Sequence, residues 1–227
     1  MKSFIRMAAL AVAAVLTIGA DKPPHPNWAA YVTVTESGSH VLGDPDAPLK
    51  LTEFISYTCP HCAHFQIQSE AALNLLFVQP GKVSVEVRHL MRDPVDTAVA
   101  LLTNCGDPNR FFMNHSFFLH RQDRWIQTMA KASKTQAQRW YVGDLGQRMR
   151  AVASDFGFYA LMEQRGYDRA AVNRCLADQN MAKKLSAQTQ QAEEDGIMST
   201  PSFMLDGVPL AGTHDWQSLS VQLQARM

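Results

Sequence analysis

The chain has 227 residues, 46% of them hydrophobic, with four cysteines and 21 Lys and Arg against 21 Asp and Glu. A formal net charge of zero excludes a basic nucleic-acid binder and a protein held to a membrane surface by charge. The length suits one substantial domain, or a domain with an insertion, and no internal repeat or low-complexity tract interrupts it.

Residues 1–20 read as a secretory signal peptide. Lys2 and Arg6 make a positive start, Met7–Ile18 is apolar but for Thr17, and Gly19-Ala20 precede a proline-rich stretch, which places cleavage after Ala20. The apolar run is shorter than the ~20 residues a membrane-spanning helix needs, an uncleaved anchor being the alternative. No cysteine stands near the cut, which argues against a lipoprotein. Removal of the signal leaves 19 basic against 21 acidic residues. Export to an oxidising compartment such as the periplasm is where oxidised dithiols persist.

Residues 21–31 carry Pro23, Pro24 and Pro26 and are expected to form an extended arm. A short strand near His40–Leu42 is followed by a turn over Gly43–Pro48, rich in Gly, Asp and Pro, and then by an apolar strand over Leu49–Ser56. Cys59-Pro60-His61-Cys62 comes next and opens a helix. Cys62, Phe65, Ser69, Ala72, Leu73 and Leu76 repeat there at helical spacing, and Pro80-Gly81 stops it. Val83, Val85 and Val87 then alternate with polar residues as in a strand.

The C-x-x-C at a strand-to-helix junction carries the chemistry. It puts the first sulfur where unpaired backbone N–H groups and the positive end of the helix dipole converge, which favours the reactive thiolate. Pro60 suits the first turn, where its missing N–H has no partner to lose. A protonated His61 adds positive charge beside Cys59, and Cys62 is within reach for a disulfide. The alternatives are a structural disulfide and a zinc site of Cys59, His61, Cys62 and His64. Structural disulfides gain more from longer loops, and structural zinc usually draws on two separated ligand pairs.

From Pro94 to about Asn180 strand alternation is absent. Val95–Asn104, Arg110–His120, Thr135–Val142, Val152–Gln164 and Asp168–Leu176 favour helix, and eight aromatic residues, Phe111, Phe112, Phe117, Phe118, Trp125, Trp140, Phe156 and Phe158, supply a core. Another helical stretch ends at Gly196. Ser202–Leu205 and Val208–Leu210 flank Asp206-Gly207, a strong hairpin signal, and a last helix from about Asp215 carries Trp216, Leu219 and Leu223 on one face. The hairpin and final helix complete a sheet begun far upstream, so the helical segment is expected to be an insertion.

The strand-Cys59-Pro60-His61-Cys62-helix unit, the helical insertion, and Gly196-Ile197-Met198-Ser199-Thr200-Pro201-Ser202-Phe203 together resemble the DsbA-like thiol:disulfide oxidoreductases, over nearly the whole chain after the signal. The resemblance implies an α/β, thioredoxin-like fold with an inserted all-helical domain. The expected division is 1–20 signal peptide, 21–93 and 181–227 thioredoxin-like, and 94–180 inserted. It also implies that Pro201 is cis and faces the dithiol, leaving the Thr200 backbone to pair with a substrate strand. Glu53 matches the family's buried acid beneath the active site. Burial raises the pKa of such a carboxyl, so it can exchange a proton with Cys62, unless it sits at a strand end facing solvent.

The implied activity is thiol–disulfide exchange at Cys59–Cys62 on reduced exported proteins, with no bound cofactor and no metal, and with reoxidation by a DsbB-type membrane partner. Cys-Pro-His-Cys is typical of the oxidases, whereas Thr before the cis proline also occurs in isomerases. Oxidase is favoured because the dipeptide between the cysteines bears more directly on thiolate stability. The chain has only a short arm where the dimeric isomerases carry a dimerisation domain, which points to a monomer. Cys105 and Cys175 remain as an even pair for a second disulfide, the alternative being two separate buried thiols.

Overall fold

The computed structural model describes residues 26–227, so the expected signal peptide lies outside the described residues. Six strands, β1 (Val32–Val34), β2 (His40–Leu42), β3 (Leu49–Ile55), β4 (Val83–His89), β5 (Ser202–Leu205) and β6 (Val208–Pro209), form one sheet in the order β1-β2-β4-β3-β5-β6. β3 and β4 are parallel and joined by α1 (Pro60–Leu73); every other neighbouring pair is antiparallel. The helices between β4 and β5 are α2 (Pro94–Thr103), α3 (Phe111–Leu119), α4 (Gln122–Trp125), α5 (Gln127–Lys131), α6 (Lys134–Gln138), α7 (Leu145–Asp155), α8 (Phe158–Gln164), α9 (Arg169–Leu176) and α10 (Gln179–Glu194). α11 (Trp216–Gln224) ends the fold, which is thioredoxin-like with an inserted set of helices.

The two-residue period of the central strands decides what each sheet face covers. Leu49 and Leu51 of β3 pack with Phe65 and Leu73 of α1, Phe203 of β5, and Leu219 and Leu223 of α11. Phe54 points the other way, against Ala192 of α10 with Ile197 and Met204. A third cluster joins Ile55, Tyr57, Cys59, Cys62 and Val87 to the helices of the insertion. The insertion therefore shares its core with the segment that carries the dithiol. Phe118, Trp125, Trp140, Phe156 and Phe158 meet edge-on or tilted in that core, the geometries aromatic rings favour.

Three local expectations are corrected. The first helix does not keep its period through Leu76: a π turn over Asn74–Val78 adds a residue to the turn, so Phe77 and Val78 are buried and Leu76 is 57% exposed. The stretch expected as one helix over Val152–Gln164 is two, α7 and α8, because Gly157 adopts φ +70° between them. α7 also starts earlier than expected, where Asp144 and Gln147 form a reciprocal capping box. β1 and the short 3-10 turn before it, Trp28–Ala30, stand where the expected arm ends. At the late hairpin, Asp206 at φ 51° and Gly207 at φ 78° supply the left-handed pair that such a tight turn requires.

Candidate active site

β3 delivers the chain to the start of α1 through the loop Ser56–Cys59. Cys59 is the N-cap of α1 in an extended conformation (φ −89°, ψ 116°), and Pro60 occupies the first turn. The Cys59 carbonyl takes the N–H groups of Cys62 (3.2 Å) and Ala63 (3.4 Å) and so begins the helix. Cys59 and Cys62 are both buried, at 3% and 0% exposure, and are the free thiols among the described residues.

The two thiols sit in opposite electrostatic circumstances. Cys59 is held down to about 5, first by the hydrogen bond from the Cys62 thiol, then by the Thr200 side chain and the backbone N–H groups of Cys62 and His61; burial opposes them and loses. Cys62 is raised well above its ordinary value, mainly by desolvation, with the charge of an ionised Cys59 and of Glu53 adding to it. One sulfur is thus prepared to be a thiolate and the other to keep its proton.

Glu53 lies on β3 opposite Val87 and Phe203, on the sheet face that α1 covers, and is 3% exposed. Desolvation raises its carboxyl to about 8, and its Oε1 has no hydrogen-bond partner among the described residues. Beside it is a cavity of about 50 Å³, lined also by Gln66, Ser69 and His115, large enough for a water. Thr200-Pro201 is a cis peptide, and the Thr200 carbonyl oxygen lies 3.2 Å from the Cys59 sulfur, which donates to it as a thiol. Next to it runs a groove of about 510 Å³ between α1 and the start of α11, lined by His61, His64, Phe65, Pro201 and His214. The His214 ring Nδ1 is 2.8 Å from the Pro201 carbonyl.

The quartet weighed as a zinc site does not converge. His61 and His64 line the groove, His64 Nε2 is 3.2 Å from the Gln68 amide, and Cys62 is enclosed in the core. Among the described residues, no three His, Cys, Asp or Glu side chains are grouped to hold a metal ion. In the insertion, Cys105 and Cys175 are joined by a disulfide with a Cα–Cα distance of 5.5 Å, tying the end of α2 to α9.

Sequence reasoning missed three residues that touch the Ser56–Cys59 loop. Asp96 of α2, wholly buried, accepts hydrogen bonds from Ser56 Oγ (2.5 Å), Tyr57 N–H (2.7 Å) and Arg92 N–H (3.0 Å), and desolvation raises it to about 7. Asp93 caps α2 through Val95 and Asp96 N–H and accepts from Thr58 Oγ1 at 2.6 Å. Gln122 of α4 donates its amide to two carbonyls, Tyr57 O at 2.6 Å and Cys59 O at 2.9 Å. Asp96 had a signal, as the single charge inside the apolar run Val95–Leu102, and Asp93-Pro94 reads as a helix start. Gln122 had none.

A family model described as thioredoxin matches residues 35–225. The chain is 52% identical to a structure of protein-disulfide isomerase from Novosphingobium aromaticivorans, with a TM-score of 0.81 over 83% of this chain and 97% of that one. It resembles α-DsbA1 of Wolbachia pipientis at 20% identity and a TM-score of 0.64, over 85% and 92% of the two chains, a likeness of fold. A curated relative from Rickettsia bellii, named protein-disulfide oxidoreductase, is 26% identical over 170 residues, which are 74% of this chain and 57% of that protein. The chain spans little more than half the length of the curated relatives it matches most strongly. With a parallel β3–α1–β4 unit opening on a Cys-x-x-Cys, a cis proline against the first cysteine, and helices inserted between β4 and β5, the chain belongs to the thioredoxin family and has the fold of its DsbA-like members.

Proposed function

We propose that the chain is a thiol:disulfide oxidoreductase acting as a dithiol oxidase on exported proteins. The observation that carries the reading is the asymmetry of the pair: Cys59 pulled down to about 5 and Cys62 raised. A thiolate so stabilised is a good leaving group and makes the reduced enzyme the favoured product, so the disulfide is oxidising. A client thiolate attacks Cys59 of the Cys59–Cys62 disulfide, and the S–S electron pair departs on Cys62. Glu53, which holds its proton up to about pH 8, protonates Cys62. A second client thiolate then attacks the client sulfur of the mixed disulfide, and Cys59 leaves as the thiolate. The client loses two electrons and two protons, and the enzyme ends as a dithiol.

Pro60 starts the helix whose amides face Cys59, and His61 contributes its N–H and lines the groove. Thr200 and Pro201 present the backbone edge on which a client strand pairs. Residues 21–93 and 181–227 serve as the thioredoxin-like body and 94–180 as the inserted domain. The remaining parts of the reading rest on the sequence: residues 1–20 as a cleaved signal peptide, a periplasmic location, a monomer, and reoxidation by a DsbB-type membrane partner. Among the described residues, no helix is long and apolar enough to cross a membrane.

One observation favours a second reading. The relative at 52% identity is named a protein-disulfide isomerase, and an isomerase keeps its dithiol reduced. Alkylation of Cys59 and Cys62 in intact cells producing the full chain separates the two. Thiols protected as the disulfide are expected for the oxidase, whereas a standing reduced pool assigns the isomerase.

A further inference from the structure

The loop from Ser56 to Cys59 is short of partners in the sheet. Within the loop, the Cys59 N–H reaches the Ser56 carbonyl (3.2 Å) and the Thr58 N–H reaches Ser56 Oγ (3.3 Å). The Cys59 carbonyl also takes the first N–H groups of α1; the other backbone bonds of the loop run to the insertion: Tyr57 N–H to Asp96, and the Tyr57 and Cys59 carbonyls to the single amide of Gln122. The Tyr57 ring follows the same direction, with its hydroxyl 3.1 Å from Thr103 Oγ1 and 2.9 Å from His115 Nδ1.

Gln122 is the member of this set that reaches the nucleophile's own backbone. The Cys59 carbonyl is the N-cap carbonyl of α1, and its direction fixes the peptide plane from which the helix starts. The amides of His61 and Cys62 that stabilise the thiolate lie one and two planes further on. Both amide hydrogens of Gln122 are spent, and the side chain is 4% exposed, so water does not readily replace either bond. Its helix is held independently: Trp125, in the same turn of α4, donates from its ring N–H to the Phe118 carbonyl (3.2 Å) and packs on Phe156 and Phe158.

We propose that Gln122 is a positioning residue for the nucleophile: from the helical insertion it clamps the carbonyls of Tyr57 and Cys59, and so holds the Cys59 sulfur over the first amides of α1. The insertion then helps set how oxidising the dithiol is. This rests on the reading of Cys59 as the nucleophile.

The test is the titration of the Cys59 thiolate by its ultraviolet absorbance in the reduced full chain, with no client present. Gln122→Met, similar in length and without donors, is expected to raise the Cys59 pKa by about one unit, a tenfold loss of thiolate at any pH well below it. Its equilibrium with glutathione should shift towards the enzyme disulfide by a similar factor. Trp140→Phe, which removes a hydrogen bond to Asp155 elsewhere in the insertion and leaves α4 and the loop alone, should leave the titration in place. Gln122→Asn keeps the amide on a shorter stem and should shift it by less than Gln122→Met; if Gln122→Met does not fold, a measurable rise in Gln122→Asn carries the proposal. A folded Gln122→Met variant that titrates with the parent, or a Trp140→Phe variant that shifts as far, overturns it. A parent whose Cys59 titrates near 8.5 would instead sink the oxidase reading, while the difference between parent and variant still decides the role of Gln122.

Discussion

The Cys59 sulfur lies between two regions that treat polar groups differently. On the sheet side, Glu53 keeps an unpartnered carboxyl oxygen beside a small cavity, and Thr200 offers a carbonyl to the sulfur itself. On the insertion side, Asp96 accepts three hydrogen bonds and Gln122 gives both of its own, leaving little capacity for chemistry. The sheet side holds groups whose protons and bonds can change, and the insertion side holds the loop still while they do. Buried groups left unsatisfied are costly; Glu53 Oε1 is one of five such atoms among the described residues, two of them in the insertion at Asn104 and Arg148, and it is the one whose charge reaches Cys62.

Substitutions on the two sides should therefore have different effects. The largest effect is expected at the dithiol. Cys59→Ser should lose client oxidation by at least ~10³-fold, the scale of losing a nucleophile. Cys62→Ser should instead trap mixed disulfides with reduced clients, seen as adducts on non-reducing gels. Equal trapping by both variants would reverse the assignment of the nucleophile.

Next in size is the bridge of the insertion. Cys105 and Cys175 are 70 residues apart, and the loop-closure model gives such a cross-link about 4 kcal/mol. The Cys105→Ala/Cys175→Ala double variant should unfold at lower denaturant by that order, while its Cys59 titration stays within a few tenths of a unit. Alkylation of the oxidised, denatured parent should find no free thiol.

Glu53 reverses the usual behaviour of a carboxyl. Its folded pKa of about 8 lies above the unfolded value, so the folded form keeps a proton that the unfolded chain has released. The stability it contributes is complete below about pH 4.5 and is lost as pH rises through 8. Glu53→Gln, which cannot ionise, should match the parent at pH 4.5 and exceed it at pH 8.5 by on the order of 2–3 kcal/mol in urea unfolding. A variant less stable at pH 8.5 would mean that the unpartnered oxygen is satisfied in solution.

The smallest expected effect concerns the histidines that pack around Phe111 where the sheet meets the insertion. Burial lowers His40 and His89 to about 4 and His115 to about 3, and each stacks on or meets the Phe111 ring edge-on. Their neutral forms are the folded ones, so the stability they contribute is complete above pH 6.5 and is lost as pH falls towards 4. His115→Gln should flatten that acid decline by about 1–2 kcal/mol. An unchanged slope would place the ring in water.

Strands β2 to β6 were legible because they rest on short-range rules, whereas β1 and the order of the strands across the sheet were not. Val83, Val85 and Val87 alternate, Asp206-Gly207 makes the turn, and Pro201 follows a threonine before a buried strand. The dithiol was legible for the same reason, since Cys59, Pro60 and Cys62 act through the local geometry of one helix start. The insertion was legible in kind but not in detail. Gly157 divides two helices by a single left-handed residue, and a π turn at Asn74–Val78 shifts the phase of an otherwise regular helix. Gln122 is the clearest loss: its partners are 63 and 65 residues earlier in the chain, and an isolated Gln in a short polar helix carries no signal of them.

Two redox forms of the protein report whether the fold stabilises the Cys59 thiolate and so makes the disulfide oxidising. One has the Cys59–Cys62 disulfide, the other is reduced at that pair alone, and both keep the bridge in the insertion. The folded pKa of about 5 lies below the ordinary thiol value, so the stabilisation is complete above about 8.5, shrinks as pH falls, and is gone below 5. In guanidinium unfolding at pH 7 the reduced form should be the more stable by about 0.5–1 kcal/mol, once solvent screening and the short loop's own gain are discounted. At pH 4.5 that advantage should vanish. An oxidised form that is clearly the more stable at pH 7 would mean that the fold does not favour the Cys59 thiolate and that the disulfide is not oxidising.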